Sequence, residues 1–235
     1  MDELIKYFSH SYYTEIISYL VALIAFVLFS LEKSNFKFFK FYFLVYLLIS
    51  LLIYIVAYYQ FDKTSTGKSV LIIRHHLDFF FTIFEYFVFA NYLKAYVNKS
   101  VYKIARIIII LSSASIYIKI IKSETFINDK ALFIFFTIQS IVLLLLCISY
   151  YIHMFVNQKN LVINNKSSFW ITTGITFFLL CTLPFSLSAS FLYDTDYILF
   201  QNLYSIYYIF YIILFIMIVI GLKCEKKNIV KVDFN

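Results

Sequence analysis

Residues 132–156 read "LFIFFTIQSIVLLLLCISYYIHMFV", an unbroken apolar run without a single Asp, Glu, Lys or Arg. A bilayer's hydrocarbon core, about 30 Å thick, needs about 20 helical residues to cross it. Strands of a membrane barrel instead alternate polar and apolar residues over roughly 10 positions. This run is continuous and more than twice that length, so it is a membrane helix. It decides how the rest of the chain is read.

Six further runs have the same character, giving predicted spans at 12–31, 38–60, 70–95, 104–121, 132–156, 168–192 and 197–222. The breaks between them are short and polar, among them "EKSNFK", "FDKTSTGKS", "YVNKSVYK" and "NQKNLVINNKS". The expected fold is all-α, a polytopic bundle of seven transmembrane helices forming one domain over residues 1–235. Composition agrees. Hydrophobic residues make up 63% and charged residues 14%, where a soluble domain carries about 45–50% and about 25%. The chain has too little polar surface to cover itself in water, so the lipid bilayer is its first partner. The opening "MDELIKYFSH" is acidic, and the apolar run after it lacks a small-x-small cleavage site, so the first run is expected to stay as a helix.

Orientation follows from lysine and arginine in short loops. Thirteen of the 20 fall in segments 33–40, 94–106, 159–166 and 223–231, and seven fall on the other side. The N-terminus is therefore expected outside and the C-terminus in the cytoplasm, most naturally of a bacterial inner membrane. The net charge of +7 is accounted for by inner-face lysines meeting anionic headgroups, and nothing points to nucleic acid. Two "NKS" triplets, at Asn98 and Asn165, land in predicted cytoplasmic loops and should carry no glycan. "TSTGKS" ends like a phosphate-binding loop, but Asp62 stands where its first glycine belongs and no strand precedes it. Cys147, Cys181 and Cys224 fit no metal spacing, and no cofactor is implied.

The polar residues inside the spans are few. Arg74, His75, His76 and Asp78 open the third predicted span at the outer headgroup level. Together with His10 and Glu15 from the first span they form a candidate outer polar cluster. Imidazole and carboxylate can ligate zinc or titrate near neutral pH, although no His pair shows metal spacing. The plain alternative is an interfacial helix end with snorkelling side chains. His153, at the inner end of the fifth span, is too far away to share a site with His75.

Glu85 differs from these because it falls near the middle of its span. A charged residue at a helix centre costs about 2.5–3.5 kcal/mol on insertion scales, so such residues turn to the bundle interior, either as a ligand or cation site reached from outside or as a structural hydrogen bond that holds the helix in the bundle. Asp78, Thr82 and Glu85 lie on one helical stripe. Candidate partners at similar depth are Gln139 and Ser140 on the fifth helix, Thr176 on the sixth, and Tyr204, Tyr207 or Tyr208 on the seventh. No basic residue reaches that level, so Glu85 is expected to be protonated or hydrogen-bonded through Tyr, Thr and Gln. Pro184 should kink the sixth helix and open a cavity toward the third.

Enzyme chemistry is poorly served. A hydrolase needs a convergent nucleophile, base and orienting group, and here the histidines divide between opposite faces. No lysine lies within the seventh span to hold retinal. Segments "LDFFFTIFEYFVFANYL" and "SSFWITTGITFF" resemble uncharacterised seven-helix bacterial membrane proteins, which carry a similar Glu on helix three and a Phe-Trp-Ile-x-x-Gly opening to helix six. That resemblance implies the seven-helix fold and no activity. Two functions are then in view. The first is a non-enzymatic sensor or receptor-like protein acting through a protein partner at its basic cytoplasmic face. The second is a proton- or cation-coupled transporter, or a channel formed by a homo-oligomer, using Glu85.

Overall fold

The computed structural model describes residues 2–31, 37–61, 67–122, 129–157 and 167–232. Within them are seven helices and no strand: α1 (Asp2–Leu31), α2 (Lys37–Phe61), α3 (Gly67–Leu93), α4 (Lys99–Lys122), α5 (Asp129–Asn157), α6 (Ser167–Thr195) and α7 (Tyr197–Val232). Five are long and apolar enough to cross a membrane, over Tyr13–Leu31, Lys99–Lys119, Ala131–Val156, Ser167–Ala189 and Asn202–Cys224. Five such helices in one chain make this a multi-pass membrane protein. Helix α2 offers a shorter apolar stretch, Phe38–Ile53, and α3 interrupts its aromatics with His76, Asp78 and Glu85.

Most of the helices outrun the predicted spans at one end or both, and polar residues cap two of their starts. Asn98 Oδ1 accepts the Ser100 amide at 2.8 Å, so α4 starts inside the predicted loop. Asp196 Oδ1 accepts the Leu199 amide at 2.9 Å, which lets α7 begin two residues after α6 ends. Both are N-cap bonds, and each satisfies an amide the helix cannot. Helix α7 also continues ten residues past Leu222 to Val232, about 15 Å further at 1.5 Å per residue.

Consecutive helices run antiparallel. Helices α1, α3, α5 and α7 therefore begin at one face, called here the N-terminal face. Six helices form a ring in the order α1, α2, α3, α5, α6, α7 and back to α1, with α4 packed outside against α5. Side chains also tie α4 to α3, through Tyr102 donating to Asn91 at 2.8 Å and the Tyr117 ring stacked on Phe79. The peripheral place of α4 shows in its exposed apolar side chains, such as Ile104, Leu111 and Ile118. A wide exposed apolar surface of this kind fits lipid.

The α6–α7 seam is the tightest. A Cβ at Gly174 would stand 2.6 Å from Met217 Cβ, and one at Gly221 would stand 2.6 Å from Ile171 Cγ1 and 3.0 Å from the Ser167 carbonyl oxygen. Glycine is what lets these backbones approach, as is common between membrane helices. Helix α6 is continuous through Pro184. Four of its hydroxyls turn to its own carbonyls: Thr176 to Thr172 at 2.8 Å, Thr182 to Phe178 at 2.8 Å, Ser186 to Thr182 at 3.1 Å and Ser188 to Pro184 at 2.9 Å. Back-bonding of this kind satisfies Ser and Thr inside helices without a partner element.

Candidate functional site

Glu85 sits on α3 with 5% of its surface exposed, facing the interior of the ring. Tyr42 of α2, fully buried, donates its hydroxyl to Glu85 Oε1 at 2.7 Å. Tyr211 of α7 reaches both carboxyl oxygens at 3.2 Å, and Tyr207 donates to the Tyr211 hydroxyl at 3.3 Å. Helices α3 and α7 are not neighbours in the ring, so the Glu85–Tyr211 bond crosses the bundle interior. One carboxyl group thereby joins three helices. No Lys, Arg, His or second carboxylate among the described residues bonds to it.

These partners correct the sequence-based expectation. Gln139, Ser140, Thr176 and Tyr204 make no hydrogen bond to Glu85, and Thr82 spends its hydroxyl on the Asp78 carbonyl at 2.7 Å. For the partner on α7 the reason is depth. Glu85 lies eighteen residues after Gly67 and only eight before Leu93, so it stands toward the far end of α3 rather than at its middle. Its partners are accordingly one turn deeper on α7 than Tyr204 to Tyr208, and near the start of α2. Gln139 is buried with its Oε1 unpartnered, and Tyr204 stacks on Tyr207 with ring centroids 6.0 Å apart.

The Tyr42 ring is held from several sides. Phe43, Phe89 and Phe215 pack against it at centroid distances of 5.5, 5.4 and 6.2 Å, while Phe81 and Phe84 stack nearly parallel to it. Offset and edge-on aromatic contacts of this kind add about 0.5–1.5 kcal/mol each beyond area burial. They fix where the hydroxyl points.

Of the candidate outer cluster, the described side chains are His76 on α3 and Glu15 on α1, with Asp78 beside His76. His76 presents its ring edge-to-face to Tyr117 of α4 at 5.9 Å. Glu15 is on α1, which borders α2 and α7, and it accepts the Tyr19 hydroxyl one turn along. The side chains of His10 and His75 lie outside the described residues. No three His, Cys, Asp or Glu among the described residues come together as a metal-binding group.

A second polar knot lies at the opposite face. Tyr92 of α3 donates to the Ser168 carbonyl at 3.2 Å, and Tyr150 of α5 donates to Ser168 Oγ at 3.1 Å. It ties the start of α6 to α3 and α5. Hydrogen bonds between membrane helices average about 0.6 kcal/mol, so Tyr150→Phe is expected to lower the unfolding free energy in detergent by about that amount. A loss several times larger would mean that Ser168 cannot re-pair.

The fold and the site together define a helical multi-pass membrane protein built round a buried carboxyl–phenol centre. Comparison with protein-family models, curated proteins and solved structures returned no match to this chain.

Proposed function

We propose that the protein is a seven-span, non-enzymatic sensor of the bacterial inner membrane, with its N-terminus outside and its C-terminus in the cytoplasm. In this reading Glu85 is the responsive group, and the output passes to a protein partner at the basic cytoplasmic face. The observation that carries it is the three-helix junction at Glu85, where α2, α3 and α7 meet through one titratable side chain. An ionised carboxylate only accepts hydrogen bonds, whereas a protonated one must also donate. Gain or loss of a proton therefore changes which phenols can bond, and with that how α7 is held against α2 and α3.

Exposed Lys94, Lys99, Lys103 and Arg106, together with Lys223 on the long end of α7, supply a basic surface on which such a change can be read. Spin labels at Lys99 and Lys223, both exposed, test the reading. The inter-label distance should shift between acidic and neutral pH in the wild type and stay fixed in Glu85→Gln. Distances that never change with pH in the wild type would end it.

A further inference from the structure

Along α2, α3 and α7 the side chains change character across Glu85. One turn toward the N-terminal face from the three bonded residues come Tyr46 on α2, Thr82 on α3 and Tyr207 on α7. One turn the other way come Phe39, Phe89 and Phe215, each with 0% of its surface exposed. The same step along each helix thus meets a hydroxyl on one side and a phenyl ring on the other.

On the hydroxyl side the polar groups continue. Tyr207 donates to Tyr211 along α7, and Tyr211 donates across the interior to Glu85 on α3. Tyr204 stacks on Tyr207 one turn further out. A second branch runs beside it: the Tyr46 ring lies 5.6 Å from that of Tyr211, and its hydroxyl pairs with Ser18 Oγ at 3.0 Å. Ser18 in turn bonds the Glu15 carbonyl at 2.7 Å, and Glu15 takes the Tyr19 hydroxyl. On the phenyl side, Phe39 packs on both Tyr42 and Tyr92, at 6.5 and 5.6 Å, and Phe43 packs on Phe215 at 5.2 Å. A ring layer about one helical turn deep, roughly 5.4 Å, separates Glu85 from the Tyr92–Ser168 knot. Apolar constrictions of this kind exclude water from membrane interiors.

We propose that Glu85 exchanges its proton only with the N-terminal face, through the Tyr207–Tyr211 hydroxyls, and is closed to the opposite face by Phe39, Phe89 and Phe215. The proposal rests on the proton-binding reading of Glu85 given above and adds which face it senses. Among the described residues, the titratable groups interacting with Glu85 are Tyr42 and Tyr46 from α2 and Tyr207 and Tyr211 from α7. A proton arriving at Tyr207 displaces the one that Tyr207 passes to Tyr211, and Tyr211 passes its own to a Glu85 oxygen. Each phenol ends neutral and only the carboxyl group has gained a proton; rotation of the hydroxyls resets the chain. One-sided access is what a sensor needs and what a transporter cannot keep.

The test uses the full chain in sealed phosphatidylcholine vesicles, with orientation read from labelling of Cys224 by an impermeant maleimide. Impermeant buffers impose a different pH on each side, and the infrared carboxyl band lost in Glu85→Gln reports the proton. The band should follow the pH of the N-terminal face alone. Tyr207→Phe keeps the ring and should slow the response about tenfold, the scale of losing one hydrogen bond from the path, without changing the final band. Phe215→Tyr puts a hydroxyl into the sealed layer and should admit the pH of the opposite face.

A wild-type band that follows both faces, or the opposite one, overturns one-sided access and leaves Glu85 a proton-binding group. An unaltered rate in Tyr207→Phe overturns the α7 path. A band that responds to neither face at any pH removes the proton-binding reading, and this proposal with it.

Discussion

Gly221→Ala lowers the stability of the purified protein by about 1–2 kcal/mol, read as a drop in its thermal midpoint in detergent. The added methyl group would stand 2.6 Å from Ile171 Cγ1, 3.1 Å from Ile171 Cδ1 and 3.0 Å from the Ser167 carbonyl oxygen. Ile171 is fully buried and Cγ1 is the inner atom of a branched side chain, so neither neighbour can swing aside cheaply. Overpacking of this kind costs about 1–3 kcal/mol, while the better helix propensity of alanine returns at most about 1 kcal/mol. The clash wins. Gly174→Ala presses on Met217 Cβ at 2.6 Å and should behave alike, because a Cβ moves only with its backbone. Ala114→Leu on the exposed face of α4 is the control and should leave the midpoint unchanged. Unchanged midpoints in both glycine variants would mean that α6 and α7 stand further apart. The effect also reaches the site. Tyr207 and Tyr211 ride on α7, and the Tyr211 bonds to Glu85, at 3.2 Å, have little length left to lose.

The all-helical, membrane-embedded architecture was legible because it rests on length and hydropathy, which residues 132–156 carry on their own. Glu85 was legible for a similar reason: an acid among "TIFEYFVF" has few places to go except the bundle interior. Its partners were not. The chain has 22 tyrosines, and sequence alone ranks them only by depth counted from helix ends. The predicted third span, 70–95, begins three residues later than α3 and ends two residues later. An error of a few residues at each end moved Glu85 from the far end of α3 to its middle, and moved the expected partner from Tyr211 to the turn above it. Tyr42 carried no signal at all. It lies five residues into α2, where an interfacial tyrosine is the ordinary reading, and only the ring order shows that this face of α2 looks onto α3 and α7. The close glycines were likewise silent, since spacing along α6 or α7 does not say which helix comes near.

Tyr42→Phe removes the shortest bond to Glu85 while keeping the ring and its aromatic neighbours. The expected loss is about 1–3 kcal/mol, the cost of leaving a buried polar group short of a partner. That exceeds the average of about 0.6 kcal/mol for hydrogen bonds between membrane helices, because the acceptor is a carboxyl group with no cation beside it and Tyr211 is the one other described residue bonded to it. Tyr211→Phe should cost less at Glu85, its bonds being longer and split between two oxygens, but it also strands the Tyr207 hydroxyl. The decisive comparison is a double-mutant cycle with Glu85→Leu. In that background the Tyr42 phenol has lost its acceptor, so Tyr42→Phe should become neutral or stabilising, since replacing both members of a buried pair by apolar groups is far cheaper than removing one. Equal costs in both backgrounds would show that packing of the Tyr42 ring, rather than its hydroxyl, holds α2 to α3. If the coupling is found, the doubly apolar variant separates two roles that the wild type combines. It should remain folded, its helices held by the surrounding aromatic packing, yet lose the pH-dependent change in distance between Lys99 and Lys223. A centre that can be replaced by hydrocarbon without loss of the fold, but not without loss of the response, is one the fold does not need for its own stability.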